Sequence, residues 1–172
     1  AIRRIHVDLG HAPHWLGELP PTPAVIAREI GQLRRIIAED LGWNDTQVYP
    51  TTPNPLNQTT EFTNYPLDGE SRGLLAEIIS AHLEATGTIP SDKLITIEDR
   101  ENTLIINCCH GSRINEALGH FLLAMSSTRT GKWGRLITEP TRISLQVKDV
   151  TPVQIIDWLS NTPPEALEGV LS

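Results

Sequence analysis

An α+β fold, with a mainly antiparallel sheet and several packed helices, is predicted by three features of this 172-residue sequence. Two segments, 24–41 and 71–86, carry apolar residues at helical spacing. Two short β-prone runs, Lys93–Glu98 and Thr103–Asn107, flank the turn-forming residues Asp99 to Asn102 and read as a hairpin. Strands and helices then mix without the regular strand–helix–strand rhythm that a parallel sheet requires.

Taken in order, Ile2 to Leu9 alternates partly and reads as a strand, and His11 to Pro23 is a Pro- and Gly-rich loop holding Trp15. Ala24 to Leu41 places Ile26, Ile30, Leu33, Ile37 and Leu41 on one helical stripe, with Pro23 at its start and Gly42 at its end. Residues 43–69 are polar and broken by Pro50, Pro53, Pro55 and Pro66, which suggests a long exposed loop or a segment laid on a neighbouring surface. A second helix, Ser71 to Thr86, turns Leu74, Leu75, Ile78, Ile79 and Leu83 inward and ends at Gly87. The hairpin follows.

The stretch from Leu104 to Gly134 organises the rest. A buried strand crosses the hinge His110-Gly111-Ser112-Arg113 and enters a helix whose stripe is Ile114, Leu118, Phe121, Leu122 and Met125. Ser112 is placed to cap that helix, and Glu116 to sit near its positive end. Beyond the turn Gly131–Gly134, strands are predicted at Arg135–Thr138 and Arg142–Val147. Thr151-Pro152 opens a short helix to Leu159, and Thr162-Pro163 opens another towards Leu171.

A formal charge of −7 argues against a free-standing nucleic-acid binder that works by bulk electrostatics. The charge is unevenly spread, however. From Arg113 to Arg142 the bases Arg113, Arg129, Lys132, Arg135 and Arg142 face only Glu116 and Glu139. No apolar run is long enough to span a membrane. Cys108 and Cys109 point to opposite faces of a strand, which makes them free thiols of a reducing compartment, the cytoplasm. The start at Ala1, without Met, suggests a single domain cut from a larger chain.

Cys108-Cys109-His110 invites comparison with a thiol nucleophile and its base, but adjacent residues seldom reach that geometry, and packing near the core is the simpler role. The same residues with His6, His11 and His14 lack the spacing of a zinc site. Gly111-Ser112-Arg113 at a helix N-terminus suits a phosphate of a nucleic-acid backbone, or equally an ordinary cap beside a solvated Arg. No phosphate-binding loop of a nucleotide hydrolase is present. Trp15, Trp43 and Trp133 stand in Gly/Pro-rich loops, where indoles either stack on bases or anchor the loop to protein. Trp158 reads as core.

The run Ile105-Ile106-Asn107-Cys108-Cys109-His110-Gly111-Ser112-Arg113-Ile114-Asn115-Glu116-Ala117-Leu118-Gly119 resembles a segment of the DEAD/DEAH-associated domain in large helicase-related (Lhr-type), Ski2-like superfamily 2 helicases, chiefly archaeal. Trp15 to Pro20 and Glu139-Pro140-Thr141-Arg142-Ile143 resemble two further segments of that region, in the same order. His110 and Thr141 stand where the pattern has Phe and Tyr. The resemblance implies a non-catalytic accessory domain of an ATP-dependent DNA or RNA helicase acting in DNA repair or RNA processing. ATP and Mg would belong to the parent's motor, with no cofactor in this chain. Partners would be single-stranded DNA or RNA and the parent's motor and winged-helix domains, with no membrane. The expected contacts are Arg113, Asn115, Arg129, Lys132 and Arg142, with Trp15 and Trp133 as stacking or wedge groups. The competing expectation is a protein-interaction scaffold without nucleic-acid contact, docking through Trp43 and the 43–69 loop.

Overall fold

The computed structural model describes residues 20–43 and 65–163. Among them the elements run α1 (Ala24–Asp40), α2 (Gly69–Thr86), β1 (Thr96–Arg100), β2 (Thr103–Asn107), α3 (Ser112–Thr130), β3 (Arg135–Glu139), β4 (Arg142–Gln146) and α4 (Pro152–Asn161). The strands form one antiparallel sheet in the order β1-β2-β4-β3, as the α+β expectation requires. The readings of Ile2–Leu9, of the loop around Trp15, of most of the 43–69 loop and of a helix towards Leu171 lie outside the described residues.

Alternation sorts the sheet into two faces. Leu104 and Ile106 of β2 and Ile143 and Leu145 of β4 are buried beneath α3 and α4, with Phe121, Leu122, Ile155 and Trp158. The opposite face carries three cross-strand rows: Thr96, Asn107, Arg142 and Glu139; Glu98, Ile105, Ser144 and Ile137; Arg100, Thr103, Gln146 and Arg135. The β1–β2 turn is tighter than expected. Glu101 and Asn102 both take positive φ (42° and 71°), and Asp99 and Arg100 belong to the ladder. At the other end of β1, Ser91 Oγ accepts from the N–H groups of Lys93 and Leu94, so those residues form a turn and the strand begins at Thr96.

A second apolar cluster joins α1 to α2 through Ile36, Ile37, Ile79, Leu83 and Trp43. Trp43 is buried and its Nε1 donates to the carbonyl of Gly87 at 3.2 Å, so it ties the two helix ends together and is not a docking group. The inward faces of both helices also differ from the predicted stripes. Val25, Ile26 and Ile30 of α1 and Leu74 and Ile78 of α2 are exposed, whereas Ala27, Gly31 and Ala38 are buried. The reason is close approach. A Cβ on Gly31 would lie 2.5 Å from the Asp92 nitrogen and 2.9 Å from Cys109 Cβ, so α1 meets the loop before β1 through its smallest residues. Arg35 locks this contact with a two-pronged bond to Asp92, Nε–Oδ1 at 2.9 Å and Nη2–Oδ2 at 3.3 Å. Burial alone would raise the Asp92 carboxyl, but the Arg35 guanidinium outweighs it and holds the group below its usual range.

α4 starts as predicted, with Thr151 and Gln154 forming a reciprocal capping box. No helix among the described residues is long and apolar enough to cross a membrane.

Candidate nucleic-acid interface

The hinge between β2 and α3 is built by hydrogen bonds that arrive from elsewhere in the chain. The N–H of Cys108 donates to Thr141 and that of Gly111 to Pro140, both at 3.0 Å, which carries the β2–β4 pairing past its last ladder residue. Gly111 has φ +88°, and a Cβ there would stand 2.8 Å from the nitrogen of Ala24. Only glycine combines that backbone with that approach. The starts of α1 and α3 therefore meet at Gly111. Ser112 does not cap its helix: Gly111 is the N-cap, and no side chain bonds the first turn. Instead Ser112 and Thr22 bond reciprocally, Thr22 N–H to Ser112 Oγ at 2.9 Å and Ser112 N–H to the Thr22 carbonyl at 3.0 Å. Glu116 lies beyond the first turn of α3 and is exposed.

Asn115 requires a correction. It is 0% exposed, and its amide donates to the carbonyls of Glu139 at 2.8 Å and Cys108 at 3.3 Å while its oxygen accepts from Cys108 Sγ. Every polar atom of its side chain is spent joining the helix to two strand ends. It holds the junction together from inside and presents nothing to a ligand.

The thiols are equally internal. Burial, reinforced by Cys109, pushes the Cys108 thiol up to about 12, and burial raises Cys109 despite Arg34 Nη1 3.7 Å from its sulfur. Burial and the charge of Arg28 lower His110. A neutral imidazole beside two protonated thiols is not an activated nucleophile pair. Among the described residues, no group of three or more His, Cys, Asp or Glu is placed to hold a metal ion.

The remaining candidates fall into two sets. Arg113 is exposed and, with His110 and Ile114, lines a cavity of about 410 Å³ whose other wall is Pro21 to Ala24. Arg142 opens on a second cleft, of about 340 Å³, with Arg34, His82 and Asn107, and its guanidinium pairs with Glu139 at 2.6 Å. At the far end of α3 stand Arg129, Lys132 and Trp133. Arg129 lies sixteen helical steps beyond Arg113, or about 24 Å at 1.5 Å per residue, so the two sets are not one patch. Lys132 pairs with Asp149, and Arg129 makes no ion pair among the described residues. Trp133 is 96% exposed. Arg135 of β3 and Lys148 after β4 are also exposed near this end, and the period-two alternation of the strand is the sequence signal that puts Arg135 outward. Trp15 lies outside the described residues.

Residues 89–172 match the family model described as DEAD/H associated. No curated protein matches the chain in sequence. Among solved structures, the chain is similar to the Mycobacterium smegmatis helicase Lhr bound to ssDNA and AMP-PNP, with a TM-score of 0.61 and 16% identity over 91% of this chain. It spans 19% of the length of that helicase chain.

Proposed function

We propose, from the match of residues 89–172 to the family model described as DEAD/H associated, that the whole chain is a non-catalytic accessory domain of an ATP-dependent superfamily 2 helicase. In this reading it touches the single-stranded DNA or RNA on which the parent tracks and braces the motor and winged-helix domains. ATP and Mg act in the motor, elsewhere in the parent, and the parent works in the cytoplasm in DNA repair or RNA processing. The fold likeness to a helicase supports this role.

One observation carries the nucleic-acid contact: a Trp ring 96% exposed among Arg129, Lys132, Arg135 and Lys148. An indole left in water forgoes the burial that makes Trp useful in a core, and every base has a π-face on which it can stack. Arg129, Arg135 and Lys148, which make no ion pair among the described residues, attract the phosphates on either side, while Lys132 is shared with Asp149. Bracing is supported at the other end of α3, where Val25, Ile26 and Ile114 are exposed near Pro21 and Pro23.

Anisotropy of a labelled single-stranded oligonucleotide tests the contact. Trp133→Ala is expected to weaken binding by about 1–3 kcal/mol, the usual worth of one stacked base, with the melting temperature unchanged. Binding should also fall with salt, with a log–log slope of about −0.7 for each phosphate contacted. Equal affinity for wild type and Trp133→Ala would remove Trp133 from the interface.

A further inference from the structure

β3 and β1 are the two outer strands of the sheet, and β3 has no strand on its outer side among the described residues. An open edge presents N–H and C=O groups that water can serve and that a second extended backbone can pair with as a ladder. The side chains of β3 decide which one. Read along its outer face, the strand is Arg135, Ile137, Glu139: a cation, a half-exposed apolar residue (47%) and an anion, equally spaced. Inverting this pattern about Ile137 exchanges the charges.

We propose that β3 pairs antiparallel with β3 of a second copy of this chain, centred on Ile137. Arg135 of each copy then faces Glu139 of the other, Ile137 meets Ile137, and the two sheets become one continuous sheet about a two-fold axis. Arg135 has no carboxylate partner among the described residues, and this pairing supplies one. Glu139 already accepts from Arg142 on the neighbouring strand, and its half-exposed carboxylate has room for a second cation.

The other edge pairings are poorer. β1 paired with itself about its centre sets Glu98 against Glu98, a like-charge contact across strands. β3 run antiparallel to β1 in full register sets Arg135 against Arg100. Of these three antiparallel arrangements the β3–β3 one is complementary, and being isologous it closes as a dimer and does not propagate into a fibre. Because the strand is five residues long, the interface is small and the dimer is expected to be weak.

Analytical ultracentrifugation of the full chain, from micromolar to near-millimolar concentration, tests the pairing. Wild type should pass from monomer to dimer as concentration rises. Arg135→Glu and Glu139→Arg should each shift that midpoint upward by about tenfold or more, because each alone sets like charges face to face at two places. Mixed together, the two variants should pair again, since every facing residue is then of opposite charge, and a misfolded variant could not show that rescue. A chain that stays monomeric throughout, a dimer indifferent to both single reversals, or a mixture that fails to pair would each overturn the proposal.

Discussion

Substitution of Asn115 measures how much of the junction rests on one buried amide. Asn115→Ala removes the donor that serves the Glu139 carbonyl at 2.8 Å and the Cys108 carbonyl at 3.3 Å, at a site that is 0% exposed. A buried acceptor left unpaired costs about 1–3 kcal/mol. One good and one long bond together then come to about 3 kcal/mol. For a domain of this size each kcal/mol moves the melting temperature by about 2–4 °C, so the variant should melt roughly 6–12 °C lower. Asn115→Asp sharpens the test. The side chain keeps its shape, but as a carboxylate it would repel both carbonyls, so burial and those oxygens raise its folded-state pKa above the unfolded value. Its proton-linked stability is therefore fully present below the unfolded pKa and lost as pH rises through the folded one. The Asp variant should lose more stability at pH 7 than near pH 4, relative to wild type, whereas the Ala variant should lose a similar amount at both. Thermal melts followed by circular dichroism at the two pH values check this. An Asp variant as stable as wild type at neutral pH would refute the assigned hydrogen bonds.

The close approach of α1 predicts that Gly31→Ala destabilises strongly, by about 3 kcal/mol or more, because backbone of Ser91 and Asp92 must move; Gly131→Ala, with open space around it but positive φ, should cost about 1 kcal/mol. Urea unfolding of the two variants separates these values. With the Cys108 thiol pushed up to about 12, its alkylation at pH 8 should be slower than that of free cysteine by about three orders of magnitude or more, as timed by mass spectrometry; a rate near that of free cysteine would restore the case for a reactive thiol. The same shift, from 9.0 to about 12, predicts stability that is intact below pH 9 and falls as pH rises towards 12. Conversely, the lowered Asp92 carboxyl stabilises the fold above its ordinary value of 3.8, and this contribution should fade as pH falls below it; Asp92→Asn should flatten that acid limb.

How far the chain could be read without coordinates varies by element. The hairpin, the hinge and α3 were legible because each is written in local periodicity: Leu104 and Ile106 alternate, and Phe121 and Leu122 sit on a helical stripe. What hydropathy missed on α3 is the seam of Asn115, Gly119 and Ser126, all buried. Gly119 is buried because a Cβ there would meet Leu136 at 2.7 Å, and Ser126 because its hydroxyl bonds the Leu122 carbonyl. Small and internally satisfied polar residues carry no apolar signal, so a stripe that contains them looks displaced. The same bias makes Ile26, Ile30, Leu74 and Ile78 look like inward positions, although all four are exposed.

The candidate site divides along the same line. Which residues are cationic or aromatic is a property of the sequence, and from it came Arg113, Arg129, Lys132, Arg142 and Trp133. Their separation into two groups depends on α3 being one unbroken rod between them. By itself the sequence determined the α+β class, the hinge and the chemistry available, because these follow from neighbours within a few positions. Only the tertiary structure decided that Asn115 and Trp43 are buried, that Trp133 stands in solvent and that β3 is an outer strand. Burial and edge position depend on contacts between residues distant in sequence, where propensity has nothing to report.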